Sequence, residues 1–434
     1  MNPKEFARRR RQLMRMMGRD SIAILPAAPL RHRSRDVEFG YRQDSDFYYL
    51  TGFAEPEAVA VLVPEREQGE FVLFCRERDA AREQWDGHRS GTEGAVETYG
   101  ADDAFPVADI DDILPGLMES KPRVFYTMGI YKEFDHRVTE WVNTLRRTVK
   151  MGGHTPQEFV ALDHLLHDMR LYKSRAEIAA MRKAAKIAVD AHKRAMQVTQ
   201  PGMHEYEVEA EFLHEFRRRR AEPSYPPIVG GGANACILHY TDNAAELADG
   251  DLLLIDAGCE YDYYASDVTR TFPVNGRFTP EQRAVYEIVL EAQLAAIDRT
   301  RAGNHWNDPH DAAVRVITKG LKKLKLLDGS LPRLLKDEAY KPFFMHRTGH
   351  WIGMDVHDVG DYKVGDEWRV LEPGMVTTVE PGIYIPAKRG IPKRYAGIGV
   401  RIEDDVAVTR DAPDVLSKGL AKDADEVEAL MASG

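Results

Sequence analysis

The chain has 434 residues, beyond the size at which single hydrophobic cores usually stop growing, so two domains are expected. Its 59 Lys and Arg against 70 Asp and Glu give a formal net charge of −11, which argues against a nucleic-acid partner needing a basic face. Hydrophobic residues at 43% and charged residues at 30% suit a soluble globular protein, and no apolar run approaches the ~20 residues needed to span a bilayer.

Residues 4 to 17 are predicted as a surface helix with Phe6, Leu13, Met16 and Met17 turned inward. No apolar segment follows Arg8 to Arg11, so a secretory signal is not expected. Ser21 to Leu25 reads as a strand stopped by Pro26, and Tyr41 to Gly52 as an aromatic-rich strand after polar side chains. Ala58 to Val63, Phe71 to Phe74 and Arg123 to Thr127 are further strands, with charged residues 76 to 91, including Trp85, between them. Strands alternating with helical stretches predict an α/β domain with a mostly parallel or mixed sheet. Cys75, Cys236 and Cys259 are widely spaced and form no CxxC pair, so they read as packed thiols in a reducing cytoplasm.

A linker-like break falls at Met151-Gly152-Gly153, after which Thr155-Pro156-Gln157-Glu158 carries a helix-opening signature. Ser174-Arg175-Ala176-Glu177 repeats it before a long helix to about Val198, with Ile178, Met181, Ala185, Val189 and Ala191 as its buried stripe. The domain boundary is placed near residue 173, giving domains 1–173 and 174–434. Gly202 turns the chain into a helix over 204–220, whose terminal Arg217 to Arg220 read as a solvated face. Gly230-Gly231-Gly232 lacks the GxGxxG spacing of a dinucleotide loop.

The chemistry begins at Leu252 to Phe272. The apolar run Leu252 to Ile255 ends in Asp256, Gly258 allows a turn, Tyr261, Tyr263 and Tyr264 suit a returning strand, and Asp267 follows. Two strands joined by a short connection would hold both carboxylates together, where they repel unless a cation is present. Two surface acids on a hairpin is the alternative. A helix over 280–299, with Val285, Ile288, Val289 and Leu294 inward, and another over 309–326 follow. Met345 to Asp358 then holds His346, His350 and His357; Met375 to Tyr384 reads as a strand carrying Glu380 before a Pro-Gly turn; Gly399 to Val406 reads as a strand carrying Glu403. An acid in such an apolar run is costly to bury unless paired or metal-bound. Four of them with a histidine offer hard oxygen ligands and one nitrogen, a set suited to manganese, cobalt, zinc or iron(II), with room for two ions and bridging carboxylates.

The order Asp256, Asp267, His350, Glu380, Glu403 resembles the ligand set of the pita-bread metallopeptidases, family M24. The contexts Ile255-Asp256-Ala257-Gly258, Ser266-Asp267-Val268-Thr269-Arg270-Thr271-Phe272, His346-Arg347-Thr348-Gly349-His350, Val379-Glu380-Pro381-Gly382-Ile383-Tyr384 and Gly397-Ile398-Gly399-Val400-Arg401-Ile402-Glu403-Asp404 are similar to the proline-specific branch. Arg42 to Phe53 is similar to the bacterial Xaa-Pro aminopeptidases in particular. The resemblance covers nearly the whole chain. It implies an α/β N-terminal domain and an α+β pita-bread catalytic domain with a curved, mainly antiparallel sheet under two helix pairs. The tail beyond about 412 is expected to be a short surface helix.

The resemblance also implies roles. Asp256 would chelate one metal, His350 and Glu380 the other, with Asp267 and Glu403 bridging. Two divalent ions, manganese foremost with zinc or cobalt as alternatives, would activate a bridging hydroxide against the carbonyl before proline. Glu380 would also shuttle a proton. His239 and His357 would steady the substrate carbonyl or oxyanion, His346 would line the proline pocket, and Arg401 would support the ligand carboxylates. Tyr384 reads either as core or as a ligand contact. Trp85, reaching a neighbouring subunit, and Asp46 are further candidate substrate contacts. The expected enzyme releases the residue before a penultimate proline from peptides, as a cytoplasmic homotetramer or dimer without nucleic-acid or membrane partners. Prolidase, acting mainly on Xaa-Pro dipeptides, is the near alternative. The intact ligand set argues against creatinase-like chemistry or a non-enzymatic binder, and the long N-terminal domain against methionine aminopeptidase.

Overall fold

Backbone contacts in a computed structural model describing residues 1–434 divide the chain into two units, Met1–Met169 and Arg170–Gly434. In the first, β-branched and aromatic runs pair into a six-stranded sheet. Its order is Asp103–Pro106, Phe71–Cys75, Val59–Leu62, Ser21–Pro26, Arg123–Phe125, Glu158–Val160. The strands Phe71–Cys75, Val59–Leu62 and Ser21–Pro26 run antiparallel to their neighbours among themselves, and the flanking pairs are parallel, so the sheet is mixed. Ile22, Val61, Val72 and Phe74 meet Leu114 of the helix Ile110–Met118 and Val142 of the helix Lys132–Thr148 in one core.

Three expectations for this unit are corrected. Tyr41 to Gly52 is not a strand: Ser45–Thr51 is an α-helix. Asp44 caps it by accepting from Phe47 N at 3.0 Å, and Gly52 closes it at φ 67, so the two caps outweigh the strand propensity of the aromatics. Met16 is 44% exposed, while Arg9 and Arg10 are buried. Their guanidiniums donate to Tyr49 O and Leu50 O at 3.0 and 2.9 Å, filling carbonyls left open at the end of that helix. Thr155 to Glu158 opens no helix. Gln157 N and Glu158 N donate to Pro122 O, and Glu158–Val160 pairs in parallel with Arg123–Phe125. An open sheet edge supplies partners that the local capping signature does not register; the helix starts at Leu162.

In the second unit, Ser174 and Glu177 complete both halves of a capping box, and the helix Arg175–Val198 runs from it. It pairs with Glu205–Arg217, and Pro280–Arg299 pairs with Asp308–Lys323. Leu294 is 49% exposed, against the prediction. It lies nine residues from Val285, half a turn round the helix, whereas Val289, Ala292 and Ala296 continue the buried stripe. The strands pair antiparallel: Ile228–Gly231 with Leu252–Asp256 with Thr269–Pro273, Val376–Val379 with Asp404–Ala407, and Gly382–Tyr384 with Gly399–Arg401. The hairpin turn is Asp262-Tyr263, at φ 52 and 67, and not Gly258. Gly258 serves a close approach, since a Cβ there would lie 1.8 Å from Ser266 O. A short helix, Ala424–Met431, closes the chain, and no helix is long and apolar enough to cross a membrane.

The segments carrying Glu380 and Glu403 are each broken where one strand was expected. Val376–Val379 stops before Glu380-Pro381 and resumes at Gly382, and Gly399–Arg401 stops before Ile402-Glu403 and resumes at Asp404. Pro381 has no N–H to give the ladder. Val379 pairs with Asp404 and Gly382 with Arg401, so the two breaks face each other and bring the two glutamates to one level.

Candidate metal centre

Asp256 ends its strand opposite Thr269, two residues after Asp267, so antiparallel register brings the two aspartates together. The Tyr225 hydroxyl lies within hydrogen-bond reach of both, at Asp256 Oδ1 and Asp267 Oδ1. His350 Nδ1 faces the Trp351 carbonyl at 2.9 Å and must therefore carry the proton, which leaves Nε2 toward the acids. Nε2 lies 3.4 Å from Asp267 Oδ2 and 3.6 Å from Glu380 Oε1. Glu403 Oε2 accepts from Thr269 Oγ1 at 2.6 Å. Asp267, His350 and Glu403 each present a donor atom within 4.8 Å of the others.

Crowding shows in the protonation of these groups. Burial, opposed by Arg401 and reinforced by Asp267, pushes Asp256 up to about 6. Burial, opposed by His350 and Arg401 and reinforced by Asp267 and Asp256, pushes Glu380 up to about 7. Burial and the charges of Asp267, Glu380 and Asp256 hold Glu403 well above the carboxylate range. Asp267 goes the other way: burial would raise it, but His350 holds it low. Burial opposes charge on His350, yet Asp267 and Glu380 lift it to about 9.

Four carboxylates thus face one imidazole and one guanidinium. Arg401 donates to Asp256 Oδ2 at 2.6 Å, to Thr269 Oγ1 at 3.1 Å and to Tyr384 Oη at 2.9 Å. Removed from water, so many acids need further positive charge. Hard oxygens with one imidazole nitrogen fit divalent cations of the manganese, cobalt and zinc type, so the donor set passes the test of chemistry.

The acids open into a cavity of ≈600 Å³ that is also lined by His239, His346, His357 and Arg401. His346 Nδ1 faces Arg347 O at 2.7 Å, and its Nε2 faces Tyr384 Oη at 2.9 Å. Burial and nearby Arg401 push His346 down to about 3, so it is neutral. Tyr384 is fully buried; its hydroxyl accepts from Arg401 and donates to His346. The His357 ring stands edge-on to His350 at 4.4 Å, and the His239 ring reaches the cavity without a protein hydrogen bond. Trp351 and Met354 are buried packing residues. Asp46 and Trp85 belong to the first unit: Asp46 lies 3.4 Å from His167, and Trp85 is 86% exposed.

Sequence reasoning missed Tyr225, Thr269 and the aromatic wall of Trp306, Tyr362 and Trp368 that completes the cavity. Thr269 was visible as the position paired with Asp256 had the register been known. Tyr225 sits in a loop just before Ile228–Gly231, where no periodicity marks it.

Residues 179–410 match metallopeptidase family M24, and residues 6–126 match the aminopeptidase P N-terminal domain. The chain is 46% identical over 430 residues to Xaa-Pro aminopeptidase from Escherichia coli (strain K12), covering 99% of this chain and 97% of that one. The structure of Pseudomonas aeruginosa aminopeptidase PepP matches with a TM-score of 0.99 at 60% identity, over 100% of this chain and 98% of that one. Zn-substituted E. coli aminopeptidase P in complex with product matches with a TM-score of 0.97 at 45% identity, over 100% and 99%. The α/β N-terminal unit and the antiparallel strands with two helix pairs are therefore the architecture expected from the motifs. The chain belongs to metallopeptidase family M24, with a pita-bread catalytic domain and an N-terminal domain of the aminopeptidase P type.

Proposed function

We propose that this chain is a divalent-metal-dependent Xaa-Pro aminopeptidase, hydrolysing the bond between an N-terminal residue and a penultimate proline. The observation that carries the reading is the gathering of four buried carboxylates and His350 at one cavity, in a chain matching Xaa-Pro aminopeptidases along its length. Asp256, Asp267, His350, Glu380 and Glu403 are the proposed holders of two ions, manganese by preference and zinc or cobalt otherwise. The chemistry such ions supply is polarisation of the scissile carbonyl and a lowered pKa for water.

The rest falls to side chains. An Xaa-Pro bond is a tertiary amide, so its nitrogen must gain a proton to leave, and Glu380 faces the cavity where that proton is needed. His239 and His357, which line the same cavity, hold the carbonyl oxygen as charge develops on it. Neutral His346, backed by Tyr384 and Arg401, offers a rigid, uncharged face to the proline ring. Arg401 holds Asp256 in place through its charge-assisted bond.

The same proposal divides the chain into domains 1–173 and 174–434 and makes the enzyme cytoplasmic, in keeping with three unpaired cysteines. A homotetramer or dimer is proposed because Trp85 lies exposed on the helix Ala80–Asp86, which has no buried residue and is free to meet a second copy. Trp85 and Asp46 remain proposed substrate contacts. Prolidase is disfavoured, since relatives matched at 46% and 42% identity over nearly the whole chain are Xaa-Pro aminopeptidases.

The test is product analysis after metal removal and manganese add-back, with Xaa-Pro, Xaa-Pro-Yaa and a longer Xaa-Pro peptide in parallel. Manganese-dependent release of the first residue from the two longer substrates is expected. Cleavage of the dipeptide alone would contradict the aminopeptidase reading.

A further inference from the structure

The helix Glu205–Arg217 opens with a carboxylate buried completely from solvent. Such a charge is tolerated only when its acceptor sites are filled. Glu205 Oε1 accepts from Gly231 N at 2.7 Å and Asn234 Nδ2 at 3.0 Å. Its Oε2 accepts from Tyr240 Oη at 2.7 Å and Ala245 N at 2.8 Å. All four donors are neutral, and all four come from one stretch of chain, 231–245.

His239 lies inside that stretch, beside Tyr240. It lines the cavity and makes no protein hydrogen bond, so no polar partner of its own fixes its place and the backbone that carries it matters the more. The other side of the segment is pressed against the strand that carries Arg401, since a Cβ on Gly399 would lie 2.3 Å from Ala235 O. The segment is thus held between a buried carboxylate and the wall of the metal centre.

We propose that Glu205 is a positioning residue, whose carboxylate gathers the segment 231–245 and thereby sets His239 against the substrate. This rests on the reading of His239 as a substrate-holding group. A misplacement of about 1 Å in such a group costs on the order of 100-fold in rate.

The test is a double-mutant cycle on the full-length, manganese-loaded enzyme. Glu205→Gln keeps the volume, but an amide cannot accept on both arms, so either Gly231 N–H or Ala245 N–H loses its partner. Kinetics on an Xaa-Pro-Yaa tripeptide are measured for Glu205→Gln, His239→Ala and the double variant, with metal content and hydrogen exchange in 231–245 followed alongside. Glu205→Gln is expected to lower kcat/KM by about 10- to 100-fold. The loss should fall on the same parameter, kcat or KM, that His239→Ala reduces, with metal content unchanged and exchange in 231–245 accelerated. The double variant should be no worse than His239→Ala. Multiplying losses would overturn the positioning role while leaving the reading of His239 intact. Wild-type activity in His239→Ala would remove that reading, and the positioning claim with it. Should Glu205→Gln fail to fold, Tyr240→Phe, which removes the hydroxyl that donates to Glu205 beside His239, carries the same cycle with a smaller loss.

Discussion

Glu403 and Asp404 are adjacent in the chain and both buried, yet they sit in opposite electrostatic worlds. Asp404 accepts from Arg270 at 2.8 Å, Lys422 at 2.8 Å, Gln293 at 2.8 Å and Ser417 at 2.7 Å. Burial would raise it, but the two cations hold it far below the carboxylate range. Glu403 accepts from Thr269 and otherwise faces Asp267, Glu380 and Asp256, which together with burial hold it well above that range. A buried acid with its donors and counter-charges in place stabilises the fold. One surrounded by other acids is matched to a charge from outside the chain.

Exchanging either residue for its amide separates the two cases. Glu403→Gln is expected to lose metal and at least ~10³-fold in kcat/KM, equivalent to about 4 kcal/mol of transition-state stabilisation. Because it also removes repulsion, the chelated variant should melt no lower than chelated wild type. Metal analysis and thermal unfolding in chelator check both halves. Asp404→Asn leaves buried Arg270 and partly exposed Lys422 beside a neutral group and should cost about 3–5 kcal/mol of stability. The cost should be the same with and without metal, as read by denaturant unfolding; a cost seen only in one form would blur the contrast.

Much of the gathering of acids was legible because acids on or next to apolar, strand-like runs violate the expected pattern, and Asp256, Asp267, Glu380 and Glu403 each did so. The Ser174 to Glu177 cap was legible for a similar reason, both partners being local. Thr155 carried the same local signature and misled, because the sheet edge at Arg123–Phe125 that claims residues 158–160 lies far away in sequence. Glu205 and Tyr225 were invisible since their partners come from remote segments. Met16 and Leu294 were expected inside on hydrophobicity alone, while Arg10 and Gln293 took buried places by finding hydrogen-bond partners.

Arg401 joins the two worlds, a structural cation serving a candidate ligand. Arg401→Lys should lower activity or metal affinity by about 10- to 100-fold, as loss of a ligand's support usually does. Titration with manganese checks it; unchanged affinity and activity would make Arg401 dispensable.

His192 sharpens the contrast from the neutral side. Burial, helped by Arg270, pushes it down to about 3, and its Nε2 lies 3.1 Å from Ala257 O. The native chain keeps it neutral while the unfolded chain takes up a proton below about 6.5. Its contribution is therefore present above that pH and lost as pH falls toward 3. His192→Gln should flatten the acid side of the stability–pH curve by up to about 1.4 kcal/mol per pH unit, measured by urea unfolding between pH 4 and 6.5. At the small end, Trp85→Ala should change the stability of an isolated protomer by less than about 0.5 kcal/mol. A larger change that depends on protein concentration would mark Trp85 as part of a subunit contact.

The most direct test is calorimetric titration of manganese into the chelated protein near pH 7, in two buffers of different ionisation enthalpy. Glu380, at about 7, and His350, at about 9, hold protons there that bound ions must displace. Two ions per chain with net proton release, abolished or cut to one ion by Glu403→Gln, is the expected result. Absence of binding, or binding without proton release that Glu403→Gln leaves unchanged, would contradict the claim that these acids are gathered for metal.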